Sequence, residues 1–265
     1  MLPPRALIGM VHVQALPGSP GARLSIDRIA RLAADEAAVI ADCGFNGIIV
    51  ENMHDRPYVQ PPHGPETVAA MTLAAHAVRF AAPKLALGIQ VLSSGEREAL
   101  AIALAVGGSF IRCENFVFAH VADEGLMDRA AAGPLLRYRR QIGAAGVRIM
   151  CDIKKKHASH ALTGDVSLAE AVRAAEFFRA DGVIVTGVAT GRATSPADVR
   201  EAREATTLPV LVGSGVTPEQ VAPLFDAGAD ALIVGSSIKR AGKWDRPIDP
   251  ARCRALARAV KAARR

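Results

Sequence analysis

The segment PVLVGSGVTPEQ, residues 209–220, contains an apolar strand, a glycine-rich turn and the start of a helix. Val210–Val212 is uniformly apolar, which is typical of a strand that is covered on both faces. Gly213-Ser214-Gly215 follows as a turn, and Thr217-Pro218 supplies an N-cap and a first-turn proline. The segment ALIVGSSIKRAG, residues 231–242, repeats the strand and the small-residue turn. Two consecutive units of this kind favour a parallel sheet covered by helices.

The same alternation of strand and helix extends along the whole chain. Apolar segments predict eight strands, at residues 6–13, 47–52, 84–92, 110–116, 148–153, 182–187, 209–215 and 231–238. Amphipathic segments predict helices at 26–43, 67–80, 96–106, 135–144, 167–178, 196–205, 218–227 and 250–263. Eight strand–helix units in about 250 residues indicate a (β/α)8 TIM barrel. Closure of this barrel requires residues 7–13 to pair with residues 231–235.

A doubly wound open sheet is the alternative fold. It usually has fewer strands and a GxGxxG turn after the first strand, where this chain instead has QALPGSPGA, residues 14–22. No linker rich in serine, glycine or charge divides the sequence. We therefore predict a single barrel domain over residues 1–265.

Composition indicates a cytoplasmic protein. No apolar run reaches the length of about 20 residues that a transmembrane helix needs, and the N-terminus lacks the layout of a signal peptide. The four cysteines are widely spaced without a CxxC pair, which predicts reduced and buried thiols (Cys43, Cys113, Cys151 and Cys253). We expect no membrane span.

The formal net charge of +6 is concentrated in part at the C-terminus, RCRALARAVKAARR, residues 252–265. These charges are interpreted as the solvated face and the end of a last helix. Contact with an acidic membrane or a nucleic acid is the less favoured alternative. No aromatic residues are interleaved with the charges, so no nucleic-acid partner is expected.

The turns after the seventh and eighth predicted strands are candidates for phosphate binding. In a TIM barrel the carboxyl ends of the strands form one rim, and the last two loops commonly hold a phosphate. Glycines allow close approach of the backbone, whose N–H groups bind the anion. The candidates are Gly213, Ser214, Gly215, Gly235, Ser236 and Ser237, together with Thr186 in the similar loop TGVATG, residues 186–191. The alternative is that these glycines only form short turns.

Polar side chains at the other strand ends predict a ligand site. Charges at a barrel centre are costly unless they are paired or face a ligand. Four residues are assigned to catalysis: Glu51, Arg112, Asp152 and Lys154. Six more are assigned to substrate binding: His12, Asn52, Gln90, Glu114, Lys156 and His157. Alternation within strands places Arg112 with Glu114, and Asp152 with Lys154, on common faces.

This group of residues is open to two interpretations. Arg112, Glu51 and Asp152 could form a purely structural ion network. Alternatively, lysine and carboxylates could transfer a proton at a carbon next to a carbonyl, or a lysine could form a Schiff base. A metal at Glu51, His54 and Asp55 is a minor alternative, and neither a metal nor a cofactor is predicted. The proline-rich loop MHDRPYVQPPHGP, residues 53–65, predicts a flap over the site that is more mobile than the core.

Several motifs resemble those of the BtpA/SgcQ family, in order and over nearly the whole chain. They are IGMVHVQALPGSP, GIIVENMHDRPY, AAMTLAAHAVR, FIRCENF, LLRYRRQIGA, DGVIVTGVATG, LVGSGVT and LIVGSSIK followed by PID. The resemblance implies a barrel of the ribulose-phosphate-binding type. One family name refers to photosystem I biogenesis and another to a sugar-transport operon, and neither name implies a reaction for this chain.

Three motifs depart from the family pattern at the predicted rim. The chain has QVLSSGE where the family usually has NVLRND, Arg112-Cys113-Glu114 where RVN is usual, and CDIKKKH where ADVHVKH is usual, so that Lys154 replaces a histidine. The phosphate turns are unaltered. The resemblance therefore implies that anion binding is retained, whereas the choice of substrate is left open.

The sequence predicts an enzyme that acts on a small phosphorylated sugar or a related metabolite, by isomerisation, epimerisation or carbon–carbon cleavage. A homo-oligomer is expected. The alternatives are a non-catalytic assembly factor for a membrane complex and a sensor of a phosphorylated ligand. An assembly factor needs an exposed apolar patch, for which the surroundings of Trp244 are the candidate, although packing of Trp244 in a loop or a subunit contact is favoured.

Overall fold

The computed structural model describes residues 2–187 and 194–264. Its strands, in chain order, are β1 (Ala6–His12), β2 (Gly47–Glu51), β3 (Ala86–Gln90), β4 (Phe110–Cys113), β5 (His120–Ala122), β6 (Gly125–Met127), β7 (Arg148–Ile153), β8 (Ala158–Ser159), β9 (Gly182–Val185), β10 (Val210–Val212) and β11 (Ala231–Val234). The α-helices are α1 (Ile26–Asp42), α2 (Pro65–Ala81), α3 (Glu96–Ala105), α4 (Ala132–Gln141), α5 (Leu168–Phe177), α6 (Pro196–Ala205), α7 (Val221–Asp226) and α8 (Pro250–Ala263).

The predicted TIM barrel is confirmed. Eight parallel strands close in the order β1-β11-β10-β9-β7-β4-β3-β2. The closing pair runs in register from Ala6 opposite Ala231 to Gly9 opposite Val234. Residues 7–13 therefore lie beside residues 231–235, as predicted, and the open-sheet alternative is wrong.

The core has two apolar layers, as expected of a barrel whose strands are buried on both faces. The barrel interior is filled by one cluster that includes Ile8, Met10, Phe110 and Ile233. The larger cluster lies between the strands and the surrounding helices. Burial of both layers fixes the strands and so holds their carboxyl ends at one rim.

Local sequence signals position several helices at the rim. Ser167 accepts a hydrogen bond from the backbone N–H of Glu170, whose side chain bonds back to Ser167, so the two residues form a capping box at the start of α5. Thr217 caps a single 3₁₀ turn, Pro218–Gln220, before α7 begins. The seventh and eighth predicted strands end earlier than expected, because Gly213 and Gly235 already belong to turns.

A small antiparallel sheet of order β6-β5-β8 lies outside the barrel and was not predicted. β5 and β6 form a hairpin between β4 and α4, with Asp123 and Glu124 in its turn. β8 follows β7 and pairs with β5. The hairpin thus connects the loops that follow two neighbouring barrel strands.

In the described part of the chain, none of the helices combines the length and the apolar character that crossing a membrane requires. All four cysteines are free thiols; Cys43 is half-buried and the other three are buried. At the C-terminus, α8 confirms the helix predicted at residues 250–263.

Candidate active site

A cavity of about 460 Å³ opens at the carboxyl ends of the barrel strands. Side chains and turns from β1, β2, β3, β4, β7, β10 and β11 line it. The cavity contains most of the residues that the sequence assigned to the site: His12, Glu51, Gln90, Arg112, Glu114, Asp152, Lys156, His157, Gly213, Ser214, Gly215, Gly235, Ser236 and Ser237.

Arg112 and Asp152 form a buried, bidentate ion pair at the ends of the neighbouring strands β4 and β7. Nε of Arg112 lies 2.9 Å from Oδ1 of Asp152, and Nη2 lies 3.0 Å from Oδ2. Both side chains are almost fully buried. Although burial alone would lower the pKa of Arg112, the carboxylate of Asp152 raises it, so the guanidinium stays charged. The pair thus holds a fixed cation in the cavity wall.

Glu114 and Lys155 form a second buried pair beside the first. Their Oε1 and Nζ atoms lie 3.1 Å apart, and the backbone N–H of Ser94 donates to the other oxygen of Glu114 at 2.7 Å. Burial opposes the charge on Glu114, but Lys155 and the Ser94 N–H lower its pKa overall. The charge of Glu114 is therefore already satisfied within the protein.

Glu51 occupies a different electrostatic environment at the end of β2. It is 6% exposed, and burial raises its pKa to about 7 against the attraction of Arg112 and Lys156. At neutral pH the carboxyl group is therefore present in both protonation states. A pKa near the working pH is suited to general acid–base catalysis.

His12 lies next to Glu51 and is neutral. Burial, reinforced by the charge of Lys239, lowers its pKa to about 3. Its Nδ1 lies 3.1 Å from the carbonyl oxygen of Trp244, so Nδ1 carries the proton and donates. Nε2, 3.6 Å from Oε2 of Glu51, is then an acceptor, and the contact is not an ion pair.

Trp244 packs in the mouth of the cavity and does not form an exposed apolar patch. Its ring centroid lies 4.9 Å from that of His54, and the guanidinium of Arg56 lies 4.6 Å above the ring. The residue is half-buried and lines the cavity. The candidate surface for an assembly factor is thus covered by two side chains of the flap, as the favoured loop packing predicts.

Lys154 lies outside the central cavity, so its position gives no support to the predicted catalytic role. β7 ends at Ile153, and Lys154 adopts a φ of +47°, which breaks the alternation that was expected to place it beside Asp152. Its ammonium group donates instead to the carbonyl of Val166. Lys155 and Lys156, the next two residues, line the cavity. Lys155 was not assigned to the site from the sequence.

The two glycine-rich turns both reach the cavity, but their glycines differ in role. The N–H of Gly213 donates to the carbonyl of Val185 at 2.9 Å, so it cannot bind an anion as was predicted. A Cβ at Gly213 would meet Ile184 at 2.9 Å, which shows that this glycine serves packing. Gly215 has a φ of +63°, a conformation that favours glycine.

The turn after β11 offers backbone donors to the cavity. Gly235 precedes a single 3₁₀ turn, Ser236–Ile238, where the sequence predicted that the strand continues to residue 238. Within residues 2–187 and 194–264, the N–H groups of Gly235, Ser236 and Ser237 have no acceptor. A Cβ at Gly235 would lie 3.3 Å from Nε2 of His12, so the glycine also makes room for this ring.

Two of the other predicted residues act behind the cavity. Asn52 is buried and exchanges hydrogen bonds with the backbone of Leu92, at 3.2 Å to its carbonyl and 2.7 Å from its N–H. Thr186 accepts from the backbone N–H of Lys156 at 3.2 Å. Both therefore position neighbouring segments. Most of the loop TGVATG, from residue 188 onward, lies outside the described residues.

The flap, residues 53–65, lies over the mouth of the barrel as predicted. Met53, Arg56 and Tyr58 line the cavity, and Nε2 of Gln60 donates to the carbonyl of Glu124 at 2.8 Å. The flap therefore meets the β5–β6 hairpin, which the sequence did not reveal. Its predicted mobility stays a prediction.

The potential metal ligands of the flap are engaged elsewhere. Asp55 accepts from the backbone N–H of Leu16 at 2.6 Å and from Asn52 at 3.0 Å. His54 packs on Trp244. In the part of the chain that the structure describes, histidine, cysteine and carboxylate side chains do not gather in groups of three that could hold a metal ion.

Several cavity residues were not identified from the sequence: Arg56, Tyr58, Asp123, Glu124, Lys155, Trp244 and Arg252. Arg252, on α8, donates from Nε to the carbonyl of Ser237 at 2.8 Å and so brings a cation to the turn after β11. In the sequence, Arg252 stood out only as a member of the charged cluster at the C-terminus, and this cluster was interpreted as the solvated face of the last helix.

Comparisons with known proteins agree with this architecture. The BtpA family model matches residues 4–262. An uncharacterized mitochondrial protein of Caenorhabditis elegans is 46% identical over 93% of this chain and 89% of its own length. The photosystem I biogenesis protein BtpA of Synechocystis is 36% identical over 96% of this chain and 87% of its own length.

Solved structures show the same fold at low sequence identity. (S)-3-O-geranylgeranylglyceryl phosphate synthase from Thermoplasma acidophilum, in complex with its substrate sn-glycerol-1-phosphate, has a TM-score of 0.59 and 16% identity. The match covers 98% of this chain and 94% of the synthase. At this identity the likeness establishes the barrel fold.

Proposed function

This chain belongs to the BtpA family, and from that membership and the geometry of its rim we propose that it is an enzyme acting on a small phosphorylated sugar or a related metabolite. One observation carries the proposal: Glu51, with a pKa raised to about 7, shares a cavity with the small-residue turn at Gly235–Ser237. A proton-transfer group and an anion-binding turn in one cavity are what such chemistry requires.

The two parts of the proposed site are close together. Nε2 of His12 lies 3.6 Å from Glu51 Oε2 and 3.3 Å from the point where a Cβ of Gly235 would stand. The carboxyl oxygen is therefore at most about 7 Å from that point beside the turn. A short phosphorylated chain can span this distance, with its phosphate on the turn and its reacting carbon beside Glu51.

The proposed chemistry is of the isomerase, epimerase or lyase type. Glu51 accepts a proton from the carbon next to a carbonyl or from a hydroxyl, and later returns it. The negative charge that develops on the substrate oxygen is stabilised by the Arg112 guanidinium, which Asp152 holds in place. His12 accepts a hydrogen bond from a substrate hydroxyl through Nε2.

The phosphate-binding part is proposed for the backbone of Gly235, Ser236 and Ser237, with Gly215 and Ser214 on the adjoining turn and Arg252 as a nearby cation. The N–H groups at 235–237 that have no acceptor support this assignment. The fold likeness to a synthase that holds sn-glycerol-1-phosphate gives further support.

Replacement of Ser236 tests the proposal. Ser236→Asp adds a negative charge to the turn, and Ser236→Asn adds a neutral side chain of the same size. Calorimetric titration with inorganic phosphate and glycerol phosphate should show roughly tenfold or greater weakening for the Asp variant, because like charges at contact distance repel. The Asn variant should bind much more tightly than the Asp variant. Equal binding by both variants would show that phosphate does not occupy this turn.

A further inference from the structure

The cavity wall at the ends of β4 and β7 carries three cations, and only two of them have an ion-pair partner among the described residues. Arg112 is paired with Asp152, and Lys155 with Glu114. Lys156 lines the same cavity, yet among residues 2–187 and 194–264 no carboxylate lies within ion-pair distance of its ammonium group. Burial and the nearby Arg112 lower the pKa of Lys156, although Glu51 and Asp152 partly oppose the effect. Lys156 is thus a cation without an ion-pair partner in the described part of the chain.

Gln90 provides a second, independent indication of a ligand. It is 2% exposed, it lines the cavity, and its Oε1 has no hydrogen-bond partner among the described residues. A buried amide oxygen without a donor costs free energy unless a ligand supplies one. Gln90 stands beside Glu51 in the barrel, because the register of β2 and β3 pairs the two residues.

This wall faces the phosphate turns. In the closed strand order, β3 lies four places from β10, and β4 lies four places from β11. Gln90 is therefore on a strand directly across the barrel from the turn after β10, whereas the Arg112 side chain crosses the cavity, with Nη2 3.5 Å from the point where a Cβ of Gly213 would stand. A ligand whose phosphate is on those turns extends its other end towards Gln90 and the β4–β7 wall.

We propose that Gln90 and Lys156 form a second ligand subsite, which binds a carboxylate and the hydroxyl next to it. The substrate is then a phosphorylated hydroxy acid. This inference rests on the proposed function, since it places the phosphate on the turn at Gly235–Ser237. Lys156 takes the carboxylate as its missing counter-ion, and the hydroxyl donates to Oε1 of Gln90.

A single carboxylate fits this subsite better than a second phosphate. One unpaired ammonium group matches one negative charge, whereas a phosphate dianion would bring a second negative charge close to the carboxylates of Glu51 and Asp152. Gln90 is neutral and satisfies a hydroxyl, not an additional charge. The subsite therefore selects an acid over an alcohol of the same length.

Matched ligand pairs test the inference without altering the protein. The pairs are 3-phosphoglycerate with glycerol 3-phosphate, 4-phosphoerythronate with erythritol 4-phosphate, and 6-phosphogluconate with glucitol 6-phosphate. Each pair differs only in a carboxylate against a hydroxymethyl group. In calorimetry, at least one acid should bind about tenfold to a hundredfold more tightly than its alcohol, the usual gain from a charged hydrogen bond. The three lengths ensure that an unsuitable span does not hide the preference.

Two lysine variants then test whether Lys156 is responsible for the preference for the acid. Lys156→Met should remove the preference for the acid and leave the binding of inorganic phosphate and of the alcohols within about twofold of the parent. Lys154→Met removes the same charge from outside the cavity and should retain the preference. Thermal unfolding of both variants checks that they are folded, and the comparison of ligand pairs on the parent protein stands in either case.

Other outcomes separate this inference from the proposed function. If phosphate and the alcohols bind but no acid is preferred, the second subsite is wrong and the phosphate site stands. If Lys156→Met weakens phosphate, alcohols and acids equally, Lys156 belongs to the phosphate site and the inference is overturned. If neither phosphate nor any of the six compounds binds, the proposed function itself fails.

Discussion

Glu51 is the residue on which the proposed chemistry depends, and Glu51→Gln should abolish it. The amide keeps the size of the side chain but cannot accept and return a proton. The parent protein should exchange a carbon-bound proton of a phosphorylated keto sugar or keto acid with deuterated water, as followed by NMR. The variant should lose at least about a thousandfold of this rate, within the usual contribution of a general acid–base group.

Glu96→Gln is the matched control for this experiment. Glu96 is also buried, with a pKa raised by burial to about 7, but it lies behind the cavity, where it accepts the backbone N–H of Asn115. Its replacement should leave the exchange rate unchanged. Retention of exchange in Glu51→Gln would contradict the catalytic assignment. Binding of phosphate without exchange in the parent would favour a sensor.

The raised pKa of Glu51 also predicts how stability depends on pH. The native state binds this proton more tightly than the unfolded chain, so the free energy of unfolding falls as the pH rises from about 4.5 through about 7 and then levels off. For a shift from 4.5 to about 7 this contribution is about 3 kcal/mol. Chemical denaturation should show that the unfolding free energy of Glu51→Gln, relative to that of the parent, is higher at pH 8 than at pH 4.5 by about this amount. Parallel pH curves for the two proteins would contradict the shift.

The pair of Arg112 and Asp152 allows its structural and catalytic interpretations to be separated. Arg112→Met leaves a buried carboxylate without its partner and should cost about 3–5 kcal/mol of unfolding free energy. The double variant Arg112→Met/Asp152→Leu should recover most of this stability but no proton exchange. Arg246→Met, which breaks an exposed contact with Asp245, should cost less than about 1 kcal/mol. Recovery of exchange in the double variant would make the pair purely structural.

At the level of residues, the sequence predicted the cavity best where regular strands supply it. Glu51 and Arg112 end or lie within strands, so their polar character amid apolar neighbours marked them. Lys154 was predicted to share a face with Asp152, but it does not line the central cavity. Its left-handed backbone conformation is not visible in the alternation of residue types. Arg252 comes from a helix and reaches the rim only through the tertiary fold.

At the level of elements, the flap and the β5–β6 hairpin together cover the cavity. The flap touches the hairpin through Gln60 and Glu124 and holds Arg56 over Trp244. Hydrogen exchange followed by mass spectrometry should show faster exchange in residues 53–65 than in the barrel strands. A bound phosphorylated ligand should slow exchange in the flap and leave α1 unaffected. Protection of the free flap equal to that of the strands would contradict its predicted mobility.

The elements that escaped prediction are short. β5 and β6 have three residues each and β8 has two, so none of them offers enough alternation to be recognised. The eight barrel strands and eight helices were predicted because each repeats an apolar strand and an amphipathic helix with clear boundaries. Glycines and prolines mark many of those boundaries, as in Thr217-Pro218 before α7.

For the whole molecule, closure of the barrel explains why residues far apart in sequence share one site. The pairing of β1 with β11 brings His12 to the turn at Gly235, and the pairing of β1 with β2 brings it to Glu51. His12 therefore links the proposed phosphate turn to the proposed proton-transfer group. The expected homo-oligomer stays a prediction that a measured mass above the 27.7 kDa of one chain would support.

The position of a bound phosphate tests the central claim most directly. A crystal structure of the parent protein soaked with glycerol phosphate should show the phosphate group at hydrogen-bonding distance from the N–H groups of Gly235, Ser236 and Ser237, with the carbon chain extending towards Glu51. A phosphate held elsewhere on the molecule, with the cavity free of ligand at saturating concentration, would contradict the account.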